Sequence, residues 1–169
     1  MKNLYVLCGI PGCGKSTFIE KHMVSFGGTT NVVSRDEIRF SIIAENEEYF
    51  SKETQVFEKF IEKIKDSLEN YDNTIVDATH INKSSRGKLL NALNSSLKND
   101  DILVNAIVLK VDLKIALDRN EGRTGRAYVP RGVIRRMFSQ FTVPTCEEGF
   151  DLIYLYENDK IKKIIAKEN

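Results

Sequence analysis

The apolar run Leu4-Tyr5-Val6-Leu7-Cys8 ends in Gly9-Ile10-Pro11-Gly12-Cys13-Gly14-Lys15-Ser16-Thr17, and that junction constrains the chain more than any other. A β-rich run feeding a glycine turn, followed by the amphipathic pattern Phe18, Ile19, His22, Met23 and Phe26, dictates strand, loop and helix in that order. The Gly-x4-Gly-Lys-Ser spacing lets backbone N–H groups wrap a polyphosphate. It also brings a lysine to the β/γ-phosphates and a hydroxyl to Mg²⁺. Gly9, Pro11, Gly12, Cys13, Gly14, Lys15, Ser16 and Thr17 are therefore read as the polyphosphate cradle.

A sheet must continue from such a unit, and the pattern of apolar runs supplies it. Strands are expected at Leu4–Cys8, Asn31–Ser34, Thr74–Asp77, Ile102–Val111 and Asp151–Tyr156, with Ile161–Ile165 either an edge strand or a short helix. Helices are expected at Lys15–Phe26, Asp36–Ala44, Lys52–Tyr71, Lys83–Leu97, Leu113–Glu121 and Arg131–Phe141. The alternation predicts an α/β fold, a three-layer sandwich with a mainly parallel central sheet flanked by helices. At 169 residues the chain suits one domain, 1–169. In sheets of this kind ligands collect at the carboxyl ends of the strands, so the polar residues following each strand are the candidates for chemistry.

Three such groups stand out. Ser34-Arg35-Asp36-Glu37-Ile38-Arg39 follows the second strand, with Asp36 and Arg39 three apart on one helix face. Together they suit a carboxylate that takes a proton from an attacking hydroxyl and a guanidinium that holds a neighbouring anion. The competing reading is a helix cap by Asp36 with a solvated Arg39. Thr74-Ile75-Val76-Asp77-Ala78-Thr79-His80 ends the third strand, making Asp77 the candidate for Mg²⁺ and His80 a loop or capping histidine. The third group is Arg119, Arg123 and Arg126 on a segment broken by Gly122 and Gly125, which reads as a mobile arginine-bearing lid over about 119–131. One well-placed arginine contributes about 10³–10⁵ in the rate of phosphoryl transfer.

Charge and cysteine content narrow the setting. The 25 basic residues nearly balance the 24 acidic ones, so any nucleic-acid contact must be local. Cys8, Cys13 and Cys146 are odd in number and lack Cys-x-x-Cys spacing, against a disulfide framework or a zinc site. Neither a targeting pattern nor a membrane-length apolar run is present, which predicts a cytoplasmic protein without membrane contact. Ile161, Ile164 and Ile165 suit either an edge strand or an interface in a homo-oligomer.

The combination of Gly9–Thr17, Ser34-Arg35-Asp36-x-x-Arg39, Asp77-Ala78-Thr79, Arg119-x-x-x-Arg123 and the tail Gln140-Phe141-x-x-Pro144-x-x-x-Glu148-Gly149-Phe150 resembles the kinase module of the polynucleotide 5′-hydroxyl kinase family, within the P-loop kinases. The resemblance covers about residues 2–155. It implies transfer of the γ-phosphate of ATP, with Mg²⁺, to the 5′-hydroxyl of DNA or RNA. Carried over, Lys15 holds the β/γ-phosphates, Ser16 and Asp77 the Mg²⁺, and Asp36 is the general base. Arg39 grips the phosphate 3′ to the acceptor nucleoside, while Arg119 and Arg123 close over the donor. Neither an Asp-x-Asp-x-Thr phosphatase motif nor a nucleotidyl-transfer lysine motif is present, which leaves a kinase module alone.

Two other classes share the loop. A kinase of nucleosides, sugars or antibiotics would use the same loop, base and lid on a different acceptor. A nucleotide switch or ATPase is disfavoured, because no Asn-Lys-x-Asp motif occurs and Ala78 follows Asp77 where a hydrolytic ATPase places a glutamate.

Overall fold

The computed structural model describes residues 1–98 and 101–168. Six strands form one sheet: β1 (Lys2–Cys8), β2 (Thr30–Ser34), β3 (Asn73–Asp77), β4 (Ile102–Leu109), β5 (Leu152–Glu157) and β6 (Lys160–Ala166). The helices are α1 (Lys15–His22), α2 (Arg35–Ile42), α3 (Glu53–Asn70), α4 (Lys83–Leu97), α5 (Leu113–Glu121) and α6 (Arg131–Gln140). The sheet order is β2-β3-β1-β4-β5-β6, parallel throughout except for the antiparallel pairing of β6 with β5.

Alternation along β1 divides the core into two. Leu4, Val6 and Cys8 face a cluster built from Val56, Phe60, Ile61, Ile64 and Leu68 of α3 and from Leu89 and Leu93 of α4. Leu7 faces the opposite way, into Phe18 of α1, Ala116 and Leu117 of α5, and Ile134 of α6. Both faces of β1 are thus covered, which is why its sequence is an almost unbroken apolar run. Each large side chain fully buried in these clusters contributes about 1.5–3 kcal/mol. The chain leaves β1 toward β2 on one side and β4 toward β5 on the other, so a crevice opens at the carboxyl end of β1 where the glycine loop sits.

Several element boundaries differ from expectation. Ile161–Ile165 belongs to a strand, closing the sheet edge in a hairpin whose turn residues Asn158 and Asp159 both take positive φ. The expected fourth strand stops at Leu109 rather than Val111, and α1 gives way to a 3-10 turn over Met23–Phe26. The segment expected to form a lid is not one helix: α5 carries Arg119 and ends at Gly122, Arg123 follows, and Arg126 lies in a 3-10 turn whose Gly125 has φ +58°. The three arginines therefore do not share a helical face.

A polar clamp joins α4 to the segment that precedes β5. Arg86 of α4 is fully buried and donates from Nε and Nη2 to the two carboxylate oxygens of Glu148, at 2.7 and 2.8 Å. Its Nη1 reaches the carbonyls of Thr142 and His80 at 2.8 and 3.3 Å. Glu148 also closes a capping box with Thr145. Burial raises the Glu148 carboxyl's pKa, but the hydrogen bonds and charge of Arg86 outweigh that and hold it below the usual range. The tail motif is thereby stapled to the segment that follows Asp77.

Candidate active site

The glycine loop is shaped by its backbone. Gly12 and Gly14 stand at φ +82° and +101°, and a Cβ on Gly12 would lie 2.4 Å from the carbonyl oxygen of Ala116 in α5. Gly9 does not line the cleft but ties the loop to the end of β3, its N–H donating to the Thr79 carbonyl at 2.9 Å. Lys15 folds over the loop, with Nζ 3.3 and 3.4 Å from the carbonyls of Gly9 and Ile10. Arg119 lies across it, donating to the Gly12 carbonyl at 3.3 Å.

A cleft of about 1430 Å³ gathers the rest of the expected site. Pro11 to Thr17, Asp36, Arg39, Asp77, Arg119, Arg123 and Arg126 all line it. Burial pushes the Asp77 carboxyl's pKa up, with Lys15 pulling it back down, so this is a carboxylate whose environment favours a cation. No group of three or more His, Cys, Asp or Glu suited to a metal occurs among the described residues. Ser16 and Asp77, the two residues expected to hold a divalent ion, both line this cleft.

The second half of the site is built on the first turn of α2. Ser34, rather than Asp36, is the N-cap, accepting from the N–H of Glu37. Asp36 is thus released from the capping role and stays 62% exposed at the side chain. Its Oδ1 accepts from Arg39 Nη1 and from the Tyr49 hydroxyl, each at 2.6 Å, while Oδ2 takes no hydrogen bond among the described residues. The carboxylate is held by one oxygen and offers the other.

Arg39 is not the free cation that the sequence suggested. It is 5% exposed, and Nη2 forks onto both oxygens of Glu53 at 2.9 and 3.0 Å. Arg35 reaches the same carboxylate. The expected grip on an acceptor phosphate therefore competes with protein partners already satisfied. Tyr49 and Glu53 escaped the sequence reading because they lie 10 and 14 residues beyond Arg39 with no periodicity to link them. The adjacent aromatics Tyr49-Phe50 inside a polar loop were the one signal available.

His80 is buried in the loop after β3. Its Nδ1 donates to the Leu7 carbonyl at 3.1 Å, and burial, with the charges of Arg35, Lys15 and Arg86, pushes its pKa down to about 4. Cys8 is a buried thiol pushed up to about 12, and Cys13 lies in the loop with Sγ 3.8 Å from Lys15 Nζ.

Residues 4–144 match the family model described as an AAA domain. The L-seryl-tRNA(Sec) kinase of Methanococcus maripaludis is 32% identical over 154 residues, covering 88% of this chain and 56% of that protein. The chain thus spans about half the length of this curated relative. Among solved structures, the Pnkp1/Rnl/Hen1 RNA repair complex superposes with a TM-score of 0.63 at 22% identity, over 82% of this chain and 43% of that one. A sugar kinase from Janibacter sp. superposes with a TM-score of 0.62 at 14% identity, over 93% and 85%. At these identities the solved structures speak to the fold alone, a P-loop kinase sandwich.

Proposed function

We propose that this chain, which belongs to the AAA-domain family, is an ATP- and Mg²⁺-dependent kinase that phosphorylates the 5′-hydroxyl of DNA or RNA. The observation that carries the reading is the pairing, across one cleft, of the Lys15–Ser16 cradle with an exposed Asp36 whose Oδ1 is fixed and whose Oδ2 is open. A hydrolytic ATPase sets its water-activating carboxylate directly after the strand-end aspartate, where this chain has Ala78. Asp36 stands instead on α2, which supports its service to a second substrate.

In this reading Lys15 and the loop N–H groups hold the β- and γ-phosphates, and Arg119 and Arg123 lie over the donor. Mg²⁺, held by Ser16 and Asp77, supplies charge neutralisation at the transferring group. Oδ2 of Asp36 accepts the hydroxyl proton as the acceptor oxygen bonds to the γ-phosphorus and the bond to the bridging β–γ oxygen breaks, releasing ADP. Arg39, anchored on Glu53, keeps Asp36 aligned. Arg119, Arg123 and Arg126 all line the cleft of a chain of net charge +1, a local excess of positive charge that supports a polyanionic acceptor.

A second reading has its own support. The name of the archaeal relative specifies a seryl-tRNA acceptor, which is also a hydroxyl borne on nucleic acid. Incubation with γ-labelled ATP and, separately, 5′-hydroxyl DNA and RNA oligonucleotides, seryl-tRNA, nucleosides and gluconate separates the alternatives. Label at oligonucleotide 5′ ends is the expected result. Label confined to the seryl group selects the second reading, and label confined to small alcohols overturns both.

A further inference from the structure

The loop joining α2 to α3 presents two aromatic rings to the cleft, of which the transfer chemistry uses only the Tyr49 hydroxyl. Phe50 is 67% exposed and Tyr49 36%. Their centroids lie 4.8 Å apart at an interplanar angle of 85°, and Phe40 stands 6.1 Å from Tyr49. Guanidinium groups bracket the cluster: Arg39 lies 4.2 Å from the centroid of Tyr49 and 5.7 Å from that of Phe50, and Arg126 lies 5.3 Å from that of Phe40. All of these residues line the cleft.

An exposed phenyl ring lining a cleft leaves apolar surface in water that an apolar partner would cover. The partner is constrained by what surrounds the ring. Cations beside aromatic faces suit a ligand that is flat, polarisable and attached to phosphate. The position is fixed as well, because the Tyr49 hydroxyl donates to Asp36 Oδ1 at 2.6 Å and so ties the platform to the proposed base. A group that stacks there belongs to the same nucleotide, or the next one, as the hydroxyl that Asp36 activates.

We infer that Phe50, supported by Tyr49, is the stacking platform for the nucleobase at the 5′ end of the acceptor strand. The inference rests on the nucleic-acid reading above and makes the aromatic loop a specificity determinant. A nucleotide is distinguished from a bare sugar by its base, which only a flat apolar surface reads without regard to sequence. Base stacking on an aromatic side chain is worth about 1–3 kcal/mol by alanine substitution, a factor of roughly 5–150 in affinity.

The test compares two acceptors, a 5′-hydroxyl oligonucleotide and the same strand with an abasic 5′-terminal nucleotide, in the wild-type chain, Phe50→Ala and Phe50→Trp. Phe50 is exposed, so its truncation leaves the core intact. The wild type is expected to show a KM about tenfold lower for the strand with the base. Phe50→Ala loses that preference to within about twofold, and Phe50→Trp keeps it. An effect of Phe50→Ala that is equal on both acceptors, or a wild type without preference, overturns the platform and leaves the kinase reading standing. If the wild type phosphorylates neither strand, the kinase reading falls and the platform with it.

Discussion

Removing Glu148 tests whether the Arg86 clamp holds the tail motif to α4. Arg86 is wholly buried and the Glu148 side chain is 5% exposed, so Glu148→Ala strands a guanidinium in the interior. Breaking a buried pair from one side costs about 3–5 kcal/mol, because the desolvated charge loses its partner. The carbonyls of Thr142 and His80 still accept from Nη1, which places the expected loss at the lower end, about 3 kcal/mol. With a urea m-value of about 2 kcal/mol/M, the unfolding midpoint falls by roughly 1.5 M at constant slope. The double variant Arg86→Met, Glu148→Leu removes both charges and leaves only the lost cap and the two orphaned carbonyls. It should therefore unfold at a higher urea concentration than Glu148→Ala alone. A loss below 1 kcal/mol for Glu148→Ala, or a double variant no more stable than that single one, would refute the reasoning.

Two further perturbations address the loop and its support. Gly12→Ala drives a methyl into the Ala116 carbonyl at a positive φ, so α5 must shift. A thermal melt should show a loss of about 2 kcal/mol or more, and a fluorescent ATP analogue at least a tenfold weaker affinity; unchanged values for both would mean that the loop does not need this close approach. His80 titrates near 6.5 in the unfolded chain and about 4 in the fold, its burial keeping it neutral. Its contribution is therefore complete above pH 6.5 and lost as pH falls toward 4, by on the order of 3 kcal/mol. His80→Asn, which tolerates the φ of +40° at this position, should flatten that acid limb in urea titrations. An unchanged limb would assign the acid sensitivity to other groups.

What was legible in the sequence was contiguous. The glycine loop, the run before it and the alternation of strands and helices are local patterns, and the Asp36–Arg39 pair is one helical turn. The partners that decide what those residues do are remote. Glu53 turns Arg39 into a buried anchor from 14 residues away, and Glu148 meets Arg86 across 62. Periodicity says nothing of either. The ambiguity at Ile161–Ile165 has a different cause: β6 is an edge strand with both faces largely exposed, so Lys160, Lys162 and Lys163 interrupt the apolar pattern that would have declared it. In the segment read as a lid, Gly122 and Gly125 mark the breaks, and the spacing of the arginines would put them on one face only if the segment were helical. The backbone ends α5 at the first glycine and turns at the second.

The claim that the loop and α2 form two halves of one transfer site rests on Asp36 and is tested most directly there. Single-turnover transfer from γ-labelled ATP to a 5′-hydroxyl oligonucleotide should fall by two to four orders of magnitude in Asp36→Asn. ATP affinity, measured on the same preparation, should stay within about threefold of wild type, because the hydrogen bonds of Asp36 among the described residues go to Arg39 and Tyr49 and not to the cradle. Transfer at a near wild-type rate would contradict the account and leave Asp36 as no more than a surface partner of Arg39.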